Sequence, residues 1–403
     1  MNRELQDYEQ LAVHVLSSLG VVGGPETIEF AAPEPDETWD LGPGTAWVYY
    51  GEGNTGLVRP VLVADGYNAG PSDLDLSYAH LEHQGFQLIS ELRSRGRDLI
   101  IVGFDERSAS LLRNAEAVSA AVRRAISSRT GNAPLVAGGF SMGGLIMRYA
   151  LAEMEHEGLD HETGIYFSYD APHTGAWLPI SLQAFAHWIR RLAPGFSNQV
   201  NSPASRQLLI RHIGSVHAKP RQDPLRVDFL AKLDRVGGWP QRPHRIGVAN
   251  GSGNGTGNGV PPGELAVRSR GPIGKVRLYT QDSGKNALVA SFKGLLTPRE
   301  MVRTRGLLEF DGAPGGTLSS FEILAGVLQY LGEVETFHST ICFSPSVSAV
   351  AIRDLVHHED LYADISKLDP ADSGLHEFKC ASRNERHTEI DTELCAWLLE
   401  RLD

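Results

Sequence analysis

Apolar residues recur along the chain in two rhythms. Short apolar, β-branched runs bounded by glycine, proline or aspartate read as strands. They are "TIEF" and "AWVYY" early on, then "RPVLVADGYNAG", "RDLIIVGF", "APLVAGGFSMGG", "TGIYFSYDAPHTG" and "HRIGVANGSG". Between them, "AHLEHQGFQLISELRSRG", "NAEAVSAAVRRAISSRTG" and "LIMRYALAEMEHEG" carry apolar residues at helical spacing. The N-terminal "MNRELQDYEQLAVHVLSSLG" shows the same period with acidic residues interspersed, and predicts an amphipathic helix. Parallel strands need crossovers of about this length, so the alternation predicts an α/β fold with a mainly parallel central sheet flanked by helices.

Two stretches break the alternation. Residues 176–240, from "AWLPISLQAFAHWIRRLAPGF" to "DPLRVDFLAKLDRVGGW", are rich in aromatics and helix formers. They predict a helical insertion, either a cap above the carboxyl ends of the strands, where ligands bind in such sheets, or ordinary core helices. The glycine-rich "NGSGNGTGNGVPPG" (250–263) is turn-like and cannot bury a core. With "GKVRLYTQDSG" and "NALVASFKG" after it, residues 250–300 predict a loop followed by an added antiparallel β-hairpin. Residues 1–403 are expected to form a single domain carrying these insertions.

Composition narrows the partners. With 41% hydrophobic and 21% charged residues the chain can bury a sizeable core. A net charge of -12 argues against nucleic acid, whose binding rests on Lys and Arg neutralising phosphates, and equally against a basic membrane-surface patch. No apolar run is long enough for a membrane span, and the N-terminus lacks the apolar core of a secretory signal. Cys342, Cys380 and Cys395 are few, odd in number and without metal-site spacing, so a reducing, cytoplasmic setting is expected. No phosphate loop, no H-E-x-x-H and no Cys/His cluster is present, and "GSGNGTGNG" lacks the spacing and following helix of a dinucleotide loop. No cofactor and no metal are expected.

Gly139-Phe140-Ser141-Met142-Gly143 fits G-x-S-x-G between a strand-like and a helix-like run, the setting a nucleophile elbow needs. The nucleophile of such an elbow sits in a tight, strained turn, so its flanking positions must be small. Here the sequence resembles the α/β-hydrolase superfamily, and within it the lipase-like esterases, from "RPVLVADGY" to the C-terminus. "DAPHTGA" (170–176) is similar to the Pro-His-x-Gly stretch of many lipases, and "NERHTEIDTELCAWLLERL" looks like their final histidine loop and closing helix.

A serine hydroxyl needs a base. His387 is the candidate by position: it follows the strand-like "LHEFKCAS" and precedes the last amphipathic helix. His338 is a rival, and the resemblance implies a structural role for His173. Hydrolases of this kind usually carry the acid after the strand assigned to "HRIGVAN", yet the following loop offers only a late Glu264. Asp170, after the preceding strand, keeps the order Ser, Asp, His that a minority of lipases use, with Asp311 as the alternative acid. By the resemblance, Tyr67 supplies one oxyanion-hole amide, with Asp65 standing where many relatives have histidine. Met142, after the nucleophile, supplies the other. These features predict a serine hydrolase that cleaves a small carboxylic ester with a hydrophobic group through an acyl-enzyme. Two alternatives stay open: an acyltransferase or cyclase using the same site, and a non-catalytic binding protein on a hydrolase scaffold.

Overall fold

A computed structural model describes residues 30–402 apart from 272–273, 295–296 and 330–331. The expected N-terminal helix and all of "TIEF" except Phe30 lie outside the described residues, and Phe30 belongs to no strand. β1 (Glu37–Asp40) pairs antiparallel with β2 (Gly44–Tyr49). β1 is missing from the apolar pattern because only Trp39 of its four residues is buried. β3 (Pro60–Ala64), β4 (Asp98–Phe104), β5 (Leu135–Phe140), β6 (Thr163–Tyr169) and β7 (His244–Ser252) lie within the apolar runs.

Two helices, α1 (Leu74–Glu82) and α2 (Leu88–Ser94), stand where the apolar period predicts one. The break contains Gly85 at φ 102°, a conformation glycine adopts at little cost. α3 (Leu111–Ser128) starts at Ser110, whose hydroxyl accepts the Arg113 amide, and α4 (Met142–His156) follows β5 after a single residue. Within 176–240 lie α5 (Ile180–Trp188), α6 (Pro194–Val200), α7 (Pro203–Leu208) and α8 (Pro224–Arg235). The last three begin on proline, which lacks the amide that a first helical turn leaves unbonded.

The chain then forms β8 (Leu265–Gly271), β9 (Gly274–Tyr279), β10 (Ala287–Lys293), β11 (Glu300–Thr304), β12 (Gly315–Leu318), α9 (Ser320–Gln329), β13 (Glu333–Thr336) and β14 (Ile341–Pro345). β15 (Glu377–Ala381) and α10 (Thr392–Leu402) close it. The expected hairpin is β9–β10, but it sits inside a five-stranded antiparallel sheet ordered β11-β10-β9-β8-β13. β8, β11 and β13 escape the apolar pattern because their outward positions are charged, as in "LAVRSRG" and "EMVRT". Arg268, Arg270, Lys275, Arg277 and Lys293 share that outer face. A net charge averages over the chain and hides segregated charges.

The main sheet runs β1-β2-β4-β3-β5-β6-β7-β15, parallel from β4 onward. This is a mixed α/β fold, with helices on both faces of a mainly parallel sheet. Val61, Val63, Leu99 and Ile101 point to one face, with α1, α2 and α10. Leu62, Ala64, Ile100 and Val102 point to the other, with α3 and α4. Strands buried on both faces read as continuous apolar runs, which is why they are conspicuous in sequence. The carboxyl ends of β5, β6, β7 and β15 lie side by side at one edge.

Asp98, wholly buried at the start of β4, ties the connection between β2 and β3 to the sheet. It accepts from the amides of Gly51 (2.8 Å), Val58 (2.6 Å) and Arg59 (2.8 Å) and from Asn54 Nδ2 (2.7 Å). Asp98→Ala leaves four donors without their acceptor, each worth about 1–3 kcal/mol when buried. A loss of about 3–5 kcal/mol in urea denaturation is expected, with Asp98→Asn intermediate.

Candidate active site

Ser141 alone separates β5 from α4, and it sits at φ 51° and ψ -123°. Its amide donates to the Tyr169 carbonyl at 2.9 Å. A Cβ on Gly143 would lie 2.2 Å from the Ala64 carbonyl oxygen, and one on Gly139 would lie 2.5 Å from the Gly143 carbonyl carbon. Both glycines of the motif are therefore sites of backbone-to-backbone approach, and the hydroxyl emerges at the carboxyl edge of the sheet.

Asp170 follows β6 at once and is also left-handed, at φ 49°. It is fully buried, its amide donates to the Val248 carbonyl (2.8 Å), and its Oδ1 accepts the Asn250 amide (3.0 Å). Its Oδ2 lies 2.6 Å from His387 Nδ1, and His387 Nε2 lies 2.7 Å from Ser141 Oγ. A carboxylate only accepts, so Nδ1 carries the proton and Nε2 is left to accept from the serine hydroxyl. The imidazole is held from behind by Phe343, ring centroids 4.8 Å apart, and its backbone amide donates to the Thr317 carbonyl at 2.8 Å. Gly316 completes the enclosure, since a Cβ there would come within 2.0 Å of Asp170 Oδ2. The structure thus brings Ser141, Asp170 and His387, spread over most of the chain, into one hydrogen-bonded line.

The loop after β3 lies alongside: a Cβ on Gly66 would be 3.8 Å from that of Ser141. Tyr67, next in the loop, is buried, and its hydroxyl donates to the Gln199 carbonyl at 2.8 Å, with Ser202 Oγ at 3.1 Å. Met142 is the first residue of α4, where helix amides have no helical acceptor. Asp65 accepts from Ser72 Oγ at 2.6 Å and from the Gly66 amide at 2.7 Å, holding the turn.

The rivals lie elsewhere. Asp311 is buried and accepts from Trp177 Nε1 and from the Gln281 amide, each at 2.6 Å. His338 Nε2 and Glu264 Oε2 lie 3.0 Å apart, forming a pair on the five-stranded sheet. His173 is buried with Nε2 3.0 Å from Ser168 Oγ, and burial and then Arg148 push its pKa well down. One neighbour was invisible in sequence: burial and then the proximity of His387 lower the pKa of His80 to about 4, so it is neutral beside the site at neutral pH. Nothing in "AHLEH" marks it, because its packing against Phe140 is a tertiary contact. Among the described residues no cluster of His, Cys, Asp or Glu could hold a metal ion.

A small, mainly apolar cleft, open to solvent, extends from Phe343 and Tyr67 along α6 and α7. Leu178, Phe196, Val200, Leu208, Leu209 and Leu318 line it.

No family model matches the sequence, and no curated protein does either. Among solved structures, the chain is similar to the mature form of a Bacillus licheniformis lipase at 12% identity, TM-score 0.32, over 50% of this chain and 71% of that one. It is similar to esterase B from Lactobacillus rhamnosus at 13% identity, TM-score 0.32, over 62% and 74%. It is also similar to a soluble variant of a Saccharomyces cerevisiae monoglyceride lipase at 16% identity, TM-score 0.27, over 42% and 56%.

Burial outweighs the two hydrogen bonds at Asp311 and raises its pKa from 3.8 to about 6. The folded chain holds a proton that the unfolded chain gives up, so this group's effect on stability becomes less favourable as pH rises from about 4 to about 6. In Asp311→Asn that slope is expected to disappear from thermal unfolding measured across this window, with a lower Tm throughout. Asparagine can accept only one of the two N–H groups.

Proposed function

We propose that the protein is a serine hydrolase that cleaves a carboxylic ester bearing a hydrophobic group. The observation that carries this reading is the line Ser141 Oγ, His387 Nε2, His387 Nδ1, Asp170 Oδ2, with contacts of 2.7 and 2.6 Å. Ser141 Oγ attacks the ester carbonyl carbon while His387 Nε2 takes its proton. Asp170 holds the tautomer and stabilises the imidazolium. The negative charge on the former carbonyl oxygen falls to the amides of Tyr67 and Met142, an arrangement worth about 10²- to 10³-fold per donor. When the tetrahedral adduct collapses, the C–O bond to the alcohol breaks and the alcohol leaves with the proton from Nε2. Water, deprotonated by the same nitrogen, then attacks the acyl-enzyme and releases the acid.

The cleft supports a hydrophobic acyl or alcohol group, since its lining is mainly aliphatic and aromatic, with Gln199 and Ser205 as its polar members. The segment 176–240, through α6 and α7, roofs that cleft and serves as the cap in this reading.

A fluorophosphonate is expected to label Ser141 alone, as located by mass spectrometry, and Ser141→Ala to abolish p-nitrophenyl butyrate hydrolysis with circular dichroism unchanged. His387→Ala should reduce turnover by several orders of magnitude, and Asp170→Asn by about 10⁴-fold per folded molecule, because the wrong tautomer is then fixed. Asp311→Asn should leave the rate per folded molecule near that of the wild type. Labelling at another residue, or an active Ser141→Ala enzyme, sinks the reading; a fast Asp170→Asn beside a dead Asp311→Asn moves the acid.

A further inference from the structure

Like charges face one another across the five-stranded sheet. Arg268 stands opposite Arg277, Arg270 opposite Lys275, and Lys275 opposite Lys293 on its other side. Directly opposed like charges destabilise an antiparallel pair, so this face works against its own sheet. With Arg299, these five residues line a groove across β8, β9 and β10. Glu335 pairs with Arg268 and Glu333 stands opposite Arg270 on β13, but no ion pair joins the other five cations to another described residue. Residues 264–306 hold nine Lys and Arg against three Asp and Glu, leaving 28 against 46 in the rest of the chain. An anionic partner is thus attracted to one face and repelled elsewhere, which orients its approach.

Two large apolar side chains share this face. Met301, opposite Ser291 on β11, is 51% exposed, and Phe337, just beyond β13, is 52% exposed with the Arg268 guanidinium 5.7 Å from its ring. A soluble polyanion would use the cations and leave the apolar groups in water. A lipid interface rewards both. We propose that this face docks the protein on an anionic phospholipid bilayer, with the cations against the phosphate headgroups and Met301 and Phe337 entering the interfacial layer. The inner face of the same sheet packs on α5 through Phe292, stacked on Trp188 at 5.0 Å. The docking stands independently of ester hydrolysis.

Flotation of the full chain with vesicles tests it. Binding is expected to phosphatidylcholine vesicles containing phosphatidylglycerol, not to phosphatidylcholine alone, and to fall as salt rises. Replacing Arg270, Lys275 and Lys293 together by Gln should lower partitioning by about 100-fold, at about fivefold per charge removed, with hydrolysis of a soluble p-nitrophenyl ester unchanged. Lys275→Gln relieves repulsion on both sides, so it should raise Tm slightly while weakening binding, a pairing that a purely structural role would not give. Met301→Ser with Phe337→Ser should weaken the binding that survives at high salt. Ser141→Ala should bind as the wild type does, which keeps this result separate from the fate of the hydrolase reading. Equal affinity for neutral vesicles, no vesicle binding, or wild-type binding by the triple variant overturns the proposal. Retention on heparin or duplex DNA without vesicle binding also overturns it and assigns the face to a soluble polyanion.

Discussion

The turn at Ser141 presses the backbone of α4 against that of β3 and hands the chain from strand to helix within one residue. A non-glycine residue at φ 51° costs on the order of 1–3 kcal/mol and persists only where its surroundings over-determine it. Here the amide bond to Tyr169 and the approach of Gly143 to the Ala64 carbonyl supply that constraint. Five non-glycine residues among those described have positive φ, and three of them are Ser141, Asp170 and Thr388. The strain is concentrated in the three loops whose side chains or neighbours must meet. Glu162 and Ala351, the other two, lie outside them.

The position of the acid follows from what β7 does at its carboxyl end. That strand runs on to Ser252 and continues into the glycine-rich connection that launches the five-stranded sheet. Instead of a carboxylate it offers the Asn250 amide, which donates to Asp170 Oδ1 from the adjacent strand. Gly316 on β12 gives this carboxylate its room, because a single added methyl group there would collide with Oδ2. An aspartate one strand earlier thus reaches the same histidine, with its second oxygen occupied and its orientation enforced.

What could be read beforehand tracks how locally each feature is encoded. β3 to β7 are buried on both faces, so their runs are continuous; Ser141 is marked by glycines that sterics require on either side. His387 and Asp170 were identifiable only as ends of strand-like segments, since the contact between them joins residues 217 apart in the chain. β8, β11 and β13 were hidden by the charges on their outward positions, and the split between α1 and α2 turned on Gly85. The outer-face cations were present in the sequence but cancelled in the total charge. Only the cross-strand register reveals that they stand opposite one another.

The loop after β3 shows how the cleft and the candidate oxyanion donor depend on each other. Tyr67 contributes its backbone to the turn beside Ser141, while its hydroxyl reaches the Gln199 carbonyl in α6 and Ser202 at the cap of α7. The phenol is buried, and desolvation raises its pKa, so it is a neutral hydroxyl donor at neutral pH. A shift of α6 or α7 therefore moves the Tyr67 ring and, through it, the direction of the Tyr67 amide. Because donors of this kind act within about 2.7–3.1 Å of the developing charge, a sub-ångström displacement is enough to uncouple it. Under the proposed hydrolase function, the helices that shape the apolar wall also help to place the Tyr67 amide, so substrates that fill the wall differently would differ in turnover as well as in affinity.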